Sequence, residues 1–481
     1  MIRPKAVVGP RLEPSATPTV PRTGPILAVT SLGTFLALVA FTLPLADLPT
    51  IVAALHASPA ESAWILSSMS VGLAGALLIA GRLADDHGRR RLFLIGCLVL
   101  AAGSFAAVVP NIGVYLAGRF LAGVGGAAII GASLGLIATG HPEPARRTTA
   151  TGIWGAALGA GITAGPLFAA AGHVIGAWWA AYLLLGTASL AAAVIARVRL
   201  AESRLPTRQR PDFLGGAMFV AAMVVILTGL VWLRLAPNPY LPILVIIVGV
   251  LLSVAFVIIE LRVARPMLDP RLFRGARFTG QVLAGLTTGL GIIALCSVSM
   301  TYLINGLGFT TLTAAGTLTL WSGTSVVAAL LVRPLAHRIS GGTQLAIGLF
   351  GVAAGQALMI PAHSFETIAP GLLLAGVASG VLNAGLGREA VASVPAGHGS
   401  FGSGVNNTAR YLGSAIGVTL TGILLLHGTS PGEPAGDQLT AGWSAAALVT
   451  TILSALGGLA VLILNRRVIL NRRAGGEPAV G

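Results

Sequence analysis

The feature that most constrains this chain is a rhythm. Stretches of about twenty apolar residues, long enough to cross a hydrocarbon layer, alternate with short polar segments, and every second segment is basic. Fourteen such stretches can be read: 26–48, 61–81, 92–110, 113–139, 149–171, 176–196, 213–233, 240–260, 278–303, 311–333, 343–361, 366–387, 404–427 and 441–464. They lack the short apolar–polar alternation of a membrane barrel, so each reads as a spanning helix. Charge content agrees. Of 481 residues 9% are charged and 55% hydrophobic, against about 25% charged in soluble domains. No water-facing surface can be built from so few ionisable groups. The fold class expected is an all-α integral membrane protein with 14 transmembrane helices.

The net charge of +15 raises nucleic acid as a partner. The pattern excludes it, because the arginines stand singly or in small clusters between apolar runs, with no basic helix and no interleaved aromatics. Lys5 is the sole lysine; with the Ala and Gly load this reads as a GC-rich bacterial genome. The charge instead reports topology. With the N-terminus inside, the cytoplasmic side receives the N-terminal tail, the loops 82–91, 140–148, 197–212, 261–277, 334–342 and 388–403, and the closing NRRVILNRR. Together with Arg333 these hold 27 of the 30 basic residues. The bias toward one side is that of the positive-inside rule. The exceptions are Arg119, Arg234 and Arg410, and only Arg234 sits at an outer loop. Both termini are therefore expected in the cytoplasm, with the chain in the cell membrane. Residues 1–25 read as a disordered tail. The apolar run behind them is too long for a signal-peptide core and lacks a convincing cleavage site, so it reads as the first span.

The cysteines, Cys97 and Cys296, lie within apolar runs and read as small buried hydrophobes. There is no H-E-x-x-H, no C-x-x-C and no G-x-x-x-x-G-K, so no cofactor or metal is expected, nor ATP-driven pumping. Gly131-Ala132-Ser133-Leu134-Gly135 matches a hydrolase elbow, but it sits inside a span, where the required strand-to-helix turn cannot form. No enzyme is expected. Loops this short leave no room for a soluble receptor or scaffold domain.

Internal symmetry is the next constraint. GRLADDHGRRR (Gly81–Arg91) follows span two, and RPLAHRISGGT (Arg333–Thr343) follows span ten, with Leu83-Ala84 matching Leu335-Ala336. The offset of eight helices suits two six-helix repeats with two helices inserted between them. The expected division is a six-helix bundle over 26–200, a linker with helices seven and eight over 201–276, a second bundle over 277–465, and a cytoplasmic tail over 466–481. Glycines spaced by four recur in spans five and thirteen, where small residues allow close helix approach.

At this point the sequence resembles the fourteen-helix drug:proton antiporter branch of the major facilitator superfamily. The resemblance covers nearly the whole chain after the N-terminal tail. Gly81, Leu83, Ala84, Asp85, Gly88, Arg89 and Arg90 match the family's loop motif; Asp86 departs from it, standing where a basic residue is usual. Arg119 in GRFLAGVGG matches the fourth-span motif. Gly161, Gly165 and Pro166 match the end of the fifth-span antiporter motif, although Ala169-Ala170 replace the usual glycine pair. Trp64 in AWILSS and NNTARYLG in span thirteen also fit. The resemblance implies export of small amphiphilic drugs or antibiotics in exchange for protons by alternating access. The partners would be a small-molecule substrate, protons and the bilayer, and the expected unit is a monomer. The alternative is a same-fold exporter or importer of an endogenous metabolite.

Residue by residue, Gly81 and Gly88 are expected to bracket a tight turn. Asp85 could pair with an arginine of the loop or sit at a helix N-terminus. In the resembled family this loop is a cytoplasmic latch, made here by Gly81, Asp85, Gly88, Arg89 and Arg90. Arg119 lies within span four, where a charge costs about 2.5–3.5 kcal/mol on insertion scales, and so needs a partner or a cavity; the other reading is snorkelling to the headgroups. The family's span-one Asp is absent, its place taken by Ala40. Asp47, nearer the outer end of the same span, becomes the candidate carboxylate, and Asp47–Arg119 the candidate proton-coupling pair, unless Asp47 is a solvated loop-end acid. Glu389, beside Arg388, is the second choice. Trp64, Asn305, Asn383, Asn406 and Arg410 are candidates for a substrate cavity. The amides, with Asn407 and Gln281, could equally bond neighbouring helices, and Trp64, Trp154, Trp178, Trp179 and Trp321 could stack on a ligand or sit at the interface. With few carboxylates, the cavity suits neutral, weakly basic or anionic amphiphiles.

Overall fold

The computed structural model describes residues 23–174, 176–205, 212–234, 236, 238–263, 266–332, 338–361, 363–427 and 435–474. Residues 333–337 of the loop repeat, with the Leu335-Ala336 match, lie outside them, as do most of the N-terminal tail and the last seven residues. Among the described residues there is no strand. α1 (Thr23–Thr42) and α2 (Pro44–Leu55) form one interrupted rod, followed by α3 (Pro59–His87), α4 (Arg89–Ala106), α5 (Ile112–Gly140), α6 (Pro144–Val174) and α7 (Ala180–Arg199). α8 (Phe213–Leu233) and α9 (Tyr240–Arg262) come next. The chain resumes with α10 (Ala276–Thr288), a π-turn at Gly289–Ile293 and α11 (Ala294–Asn305), which stack as one rod. α12 (Thr311–Leu331), α13 (Gly341–Leu358), α14 (Phe365–Ala392), α15 (Gly399–His427) and α16 (Ala435–Ala474) complete it.

Local chemistry starts several of these helices. Ser58 and Glu61 form a reciprocal capping box at α3, and the side chains of Asn111, Asp212, Thr310 and Ser340 accept from the first turns of α5, α8, α12 and α13. Each satisfies a donor that the helix itself leaves open.

Packing repeats along the chain. α4 and α3 both lie against α5, α1 lies against α6, and α4 against α7. In the same order, α13 and α12 lie against α14, α10 against α15, and α13 against α16. The two groups meet where α3 and α5 touch α15, and where α6 touches α12 and α14. α8 packs on α3, α9 and α15. α9 presents Leu241, Leu244, Leu251 and Val254 outward, an apolar surface suited to lipid.

Twelve of the described helices are long and apolar enough to cross a membrane. α4 and α13, of 18 residues each, are not among the twelve. α4 opens on three arginines, and α13 carries Gln344 and Gln356, both of which are buried and donate to backbone carbonyls of neighbouring helices.

One expectation is corrected here. Gly81 does not bracket a turn: α3 continues through it to His87. The turn is Gly88 alone, whose φ of +126° is a conformation that favours glycine. Gly81 is small for another reason. A Cβ there would strike the backbone of Ser400, so the glycine is where α3 and α15 touch.

Candidate functional site

The basic end of the interface between the two groups is tightly closed. Asp85 is fully buried at the end of α3. Its Oδ1 accepts from Arg89 Nε at 2.8 Å and Nη2 at 2.7 Å. Its Oδ2 accepts from the backbone N–H of Phe401 at 2.9 Å, and Ser400 N–H reaches Oδ1 at 3.4 Å. Those amides belong to the first turn of α15, where orphan donors and the helix dipole favour an anion. Arg89 in turn donates to the Gly397 carbonyl at 2.5 Å. A single carboxylate thus binds an arginine of its own group and the helix start of the other. Both readings of Asp85 hold together. Behind them, a Cβ at Gly135 would meet the Ser400 hydroxyl and Arg89.

Arg90 takes part differently. Its side chain donates to the Leu200 carbonyl at 3.2 Å, while Glu202 accepts from the backbone N–H groups of Arg90 and Arg91 at 3.0 and 3.1 Å. The segment after α7 is therefore strapped across this end, with Arg89 N–H bonded to Ser203 O and Leu205 N–H to Asp85 O. Asp86 pairs with Arg82 at 3.1 Å. Glu389 is held by Arg277, at 2.7 and 3.0 Å; Arg388, its sequence neighbour, is farther, at 3.7 Å.

Arg119 is 1% exposed, which excludes snorkelling. Its guanidinium donates to the Ala40 carbonyl and, at 3.3 Å, to that of Phe41. The reason lies in the break between α1 and α2. In a continuous helix the Ala40 carbonyl would accept from residue 44, but Pro44 has no N–H. The proline frees a carbonyl and the arginine takes it, at the position where the resembled family carries an acid. Asp47, on α2, is 2% exposed and so is no solvated loop-end acid. Asp47 and Arg119 both lie within electrostatic reach of Tyr115 and Tyr182, whose hydroxyls share a 2.6 Å hydrogen bond.

Gly161 and Gly165 press α6 onto α1. A Cβ at Gly161 would strike the Phe35 carbonyl, and one at Gly165 the Thr42 hydroxyl. Thr42 also reaches the Ile162 carbonyl at 3.2 Å. Pro166 lies one residue beyond, inside α6.

Away from the closed end, the groups separate around a cavity of about 320 Å³. Leu38, Phe41, Ile162, Leu227, Ile292 and Trp321 give it apolar walls, hydroxyls such as Ser70, Ser325 and Ser414 dot it, and Pro166 lines it as well. Of the expected cavity residues, Asn383 and Arg410 line it. Three others do not. The Asn406 amide donates to Gln281 Oε1 at 2.8 Å and so ties α15 to α10. Asn305 is exposed at the end of α11, and Trp64 is half-buried against the core.

Several functional candidates escape a reading of the sequence. Arg234, at the end of α8, lines the cavity, so an inserted helix contributes to it. The Ser400 and Phe401 amides and Glu202 matter through contacts more than a hundred residues away in the chain. Arg234 had one signal: it is the arginine on the side that the others avoid.

Helices arranged in two repeating groups, with lipid-facing apolar surfaces and a cavity between the groups, define a multi-pass membrane protein of the transporter class. The chain belongs to the Major Facilitator Superfamily, whose family model matches residues 30–418. It is 30% identical over 420 residues to the multidrug efflux pump LfrA of Mycolicibacterium smegmatis, covering 85% of this chain and 82% of the relative. It is 29% identical over 393 residues to a probable actinorhodin transporter of Streptomyces coelicolor, covering 78% and 68%. The proton:xylose symporter XylE has the same fold, with a TM-score of 0.63 at 13% identity, covering 91% of this chain and 94% of that one.

Proposed function

We propose that this chain exports small amphiphilic compounds, drugs or antibiotics among them, from a bacterial cell in exchange for protons by alternating access. The observation that carries the reading is the largely apolar cavity between two helix groups, shut at one end by the Asp85–Arg89 contacts with α15. Relatives of similar extent are named for multidrug efflux and antibiotic resistance. In this reading fourteen spans cross the cell membrane, α1 with α2 forming the first and α10 with α11 the ninth. Both termini are cytoplasmic, because the arginines collect on the closed side. The moving bodies are residues 26–200 and 277–465, carried by a monomer.

Gly81, Asp85, Gly88, Arg89 and Arg90 then form the cytoplasmic latch of an outward-facing state. Asp47 takes the proton. Protonation removes the charge that Arg119 senses beside Tyr115 and Tyr182, and this loosens the α1–α2 break against α5. Gly161, Gly165 and Pro166 seal α6 against α1.

The test uses proteoliposomes with an imposed pH gradient, an entrapped pH dye and a panel of amphiphilic drugs and dyes. Some compounds should drive proton flux in wild type, and Asp47→Asn should reduce that flux by at least about ten-fold. Full flux in Asp47→Asn leaves antiport standing and removes Asp47 as the coupling group. If no compound moves protons, export of drugs fails and an endogenous metabolite becomes the substrate.

A further inference from the structure

We infer that the cavity selects organic anions: amphiphiles with an aromatic body and one carboxylate or similar oxyanion, which Arg410 holds and Arg234 meets at the outer end. The inference rests on the export reading and names its substrate class.

Arg410 lies on α15 and lines the cavity. It is 5% exposed. Among the described residues no hydrogen bond or ion pair engages its guanidinium, and Nε is buried without a partner. The other buried arginines differ in their terminal nitrogens: Arg89 has Asp85 and Gly397, and Arg119, whose Nε is also without a partner, gives Nη1 and Nη2 to two carbonyls. An uncompensated buried charge is costly, so a group that completes Arg410 binds with that deficit in its favour. The described lining holds no Asp or Glu. The missing partner must then be brought by the ligand, and the planar guanidinium fork matches a carboxylate in two bonds. Ser414, one turn further along the same helix face, adds a hydroxyl to the lining.

Arg234 reaches across from α8 to lie over Gly422, where its Nε is 3.2 Å from the position of a Cβ. Gly422 follows Arg410 by 12 residues, or about 18 Å at the helical rise. That spacing along α15 sets Arg410 deeper in the cavity and Arg234 toward its outer end, so an anion leaving Arg410 for the outside passes Arg234, and one added from the outside passes it on the way in. The aromatic body has its own surfaces. Phe41 and Tyr411 meet edge to face across the two groups at 5.5 Å. Trp321 has its indole N–H committed to Ser379 at 2.9 Å, so it offers the cavity its carbon surface. A cationic amphiphile would meet two like charges and no carboxylate.

The experiment measures binding, not transport. Wild-type protein in nanodiscs of uncharged lipid is titrated with anthracene-2-carboxylate, its methyl ester and 2-(aminomethyl)anthracene, which differ in charge on one ring system. The carboxylate should bind at least about ten-fold tighter than either of the others. Arg410→Gln should abolish that preference while leaving ester affinity within about two-fold, and Arg410→Lys should keep part of it. Arg234→Gln should slow association more than it weakens affinity. Should Arg410→Gln fail to fold, wild type still decides: carboxylate affinity must fall with salt while ester affinity does not. Equal affinities for the three compounds, a preference for the amine, a flat salt response, or a preference that survives Arg410→Gln overturns the inference. Binding without charge preference sinks this inference alone. Absence of binding by all three also removes support for amphiphile export.

Discussion

The two ends of the interface between the helix groups treat the same residue type in opposite ways. At the closed end Arg89 is buried and answered by Asp85, by a backbone carbonyl and, through Asp85, by the first turn of α15. In the cavity Arg410 is buried to nearly the same degree, and among the described residues no protein group answers it with a hydrogen bond or ion pair. Arg119 stands between: the carbonyls of Ala40, which Pro44 frees, and Phe41 accept from its guanidinium, while its Nε is buried without a partner. Burial alone therefore says little about the role of a charge in such a protein. The list of its partners says more. A satisfied arginine stabilises one arrangement of the groups, and an unsatisfied one is completed from outside. A rocking transporter needs both kinds, because a latch must hold one state and still be breakable.

The largest expected effect tests the satisfied end. Asp85→Asn removes the carboxylate from a buried pair and leaves Arg89 uncompensated, a change that costs about 3–5 kcal/mol. If that loss falls on the closed state, the equilibrium moves by about 10²–10⁴ toward an open cytoplasmic end. The probe is a cysteine at Ser403, which is buried and donates to the Ile130 carbonyl of the opposite group. In a background of Cys97→Ala and Cys296→Ala, Ser403→Cys should react slowly with a membrane-impermeant thiol reagent from the cytoplasmic face. With Asp85→Asn added it should react at least about ten-fold faster, with transport lost and the protein still monodisperse. Labelling unchanged by Asp85→Asn would mean that glycine contacts, not charge, keep this end shut.

Arg119→Lys is the next step down. An ammonium cannot serve two carbonyls in one plane as a guanidinium can, and one charged hydrogen bond is worth about 1.5–3 kcal/mol. Thermal stability should fall accordingly, and proton-driven transport should drop by about 10–100-fold. The comparison sharpens if Arg410→Lys leaves stability unchanged, because no protein bond is lost there. If the two substitutions destabilise equally, the contrast between answered and unanswered arginines fails.

Much of this was legible in the sequence, for physical reasons that also mark where legibility stops. Apolar run length and arginine placement report on lipid and membrane surface, which act on every residue locally, so the helices and their alternation could be read. Gly161 and Gly165 could be read as close-packing sites because small residues four apart form one face. Gly81 could not: a glycine that makes room for Ser400, 319 positions later, looks in sequence like a glycine that makes a turn. For Arg119 only acids were considered as partners in the sequence; the carbonyls of Ala40 and Phe41 that accept from it were not, and the signal for the first of them was Pro44. Asn406 and Asn383 are alike in sequence. Only packing decides that one binds Gln281 and the other faces the cavity. Arg234 was visible as an exception to the charge bias, but its reach over α15 depends on where the inserted helices dock.

The smallest expected effect examines whether the proline break serves Arg119 at all. Pro44→Ala restores an N–H at the start of α2, which can donate to Ala40 and compete with the arginine. A carbonyl has two lone pairs, and proline is well tolerated at the first position of a helix. Stability should therefore change by no more than about 1 kcal/mol. Transport is the more sensitive readout, with a fall of about two- to five-fold expected if Arg119 must let go of that carbonyl and regain it in each cycle. A double-mutant cycle with Arg119→Lys separates the explanations. Coupling of about 0.5 kcal/mol or more means that proline and arginine act on one carbonyl. Additive effects would mean that Pro44 only bends the rod. The arginine would then hold Ala40 by proximity, and the middle member of the comparison would lose its explanation.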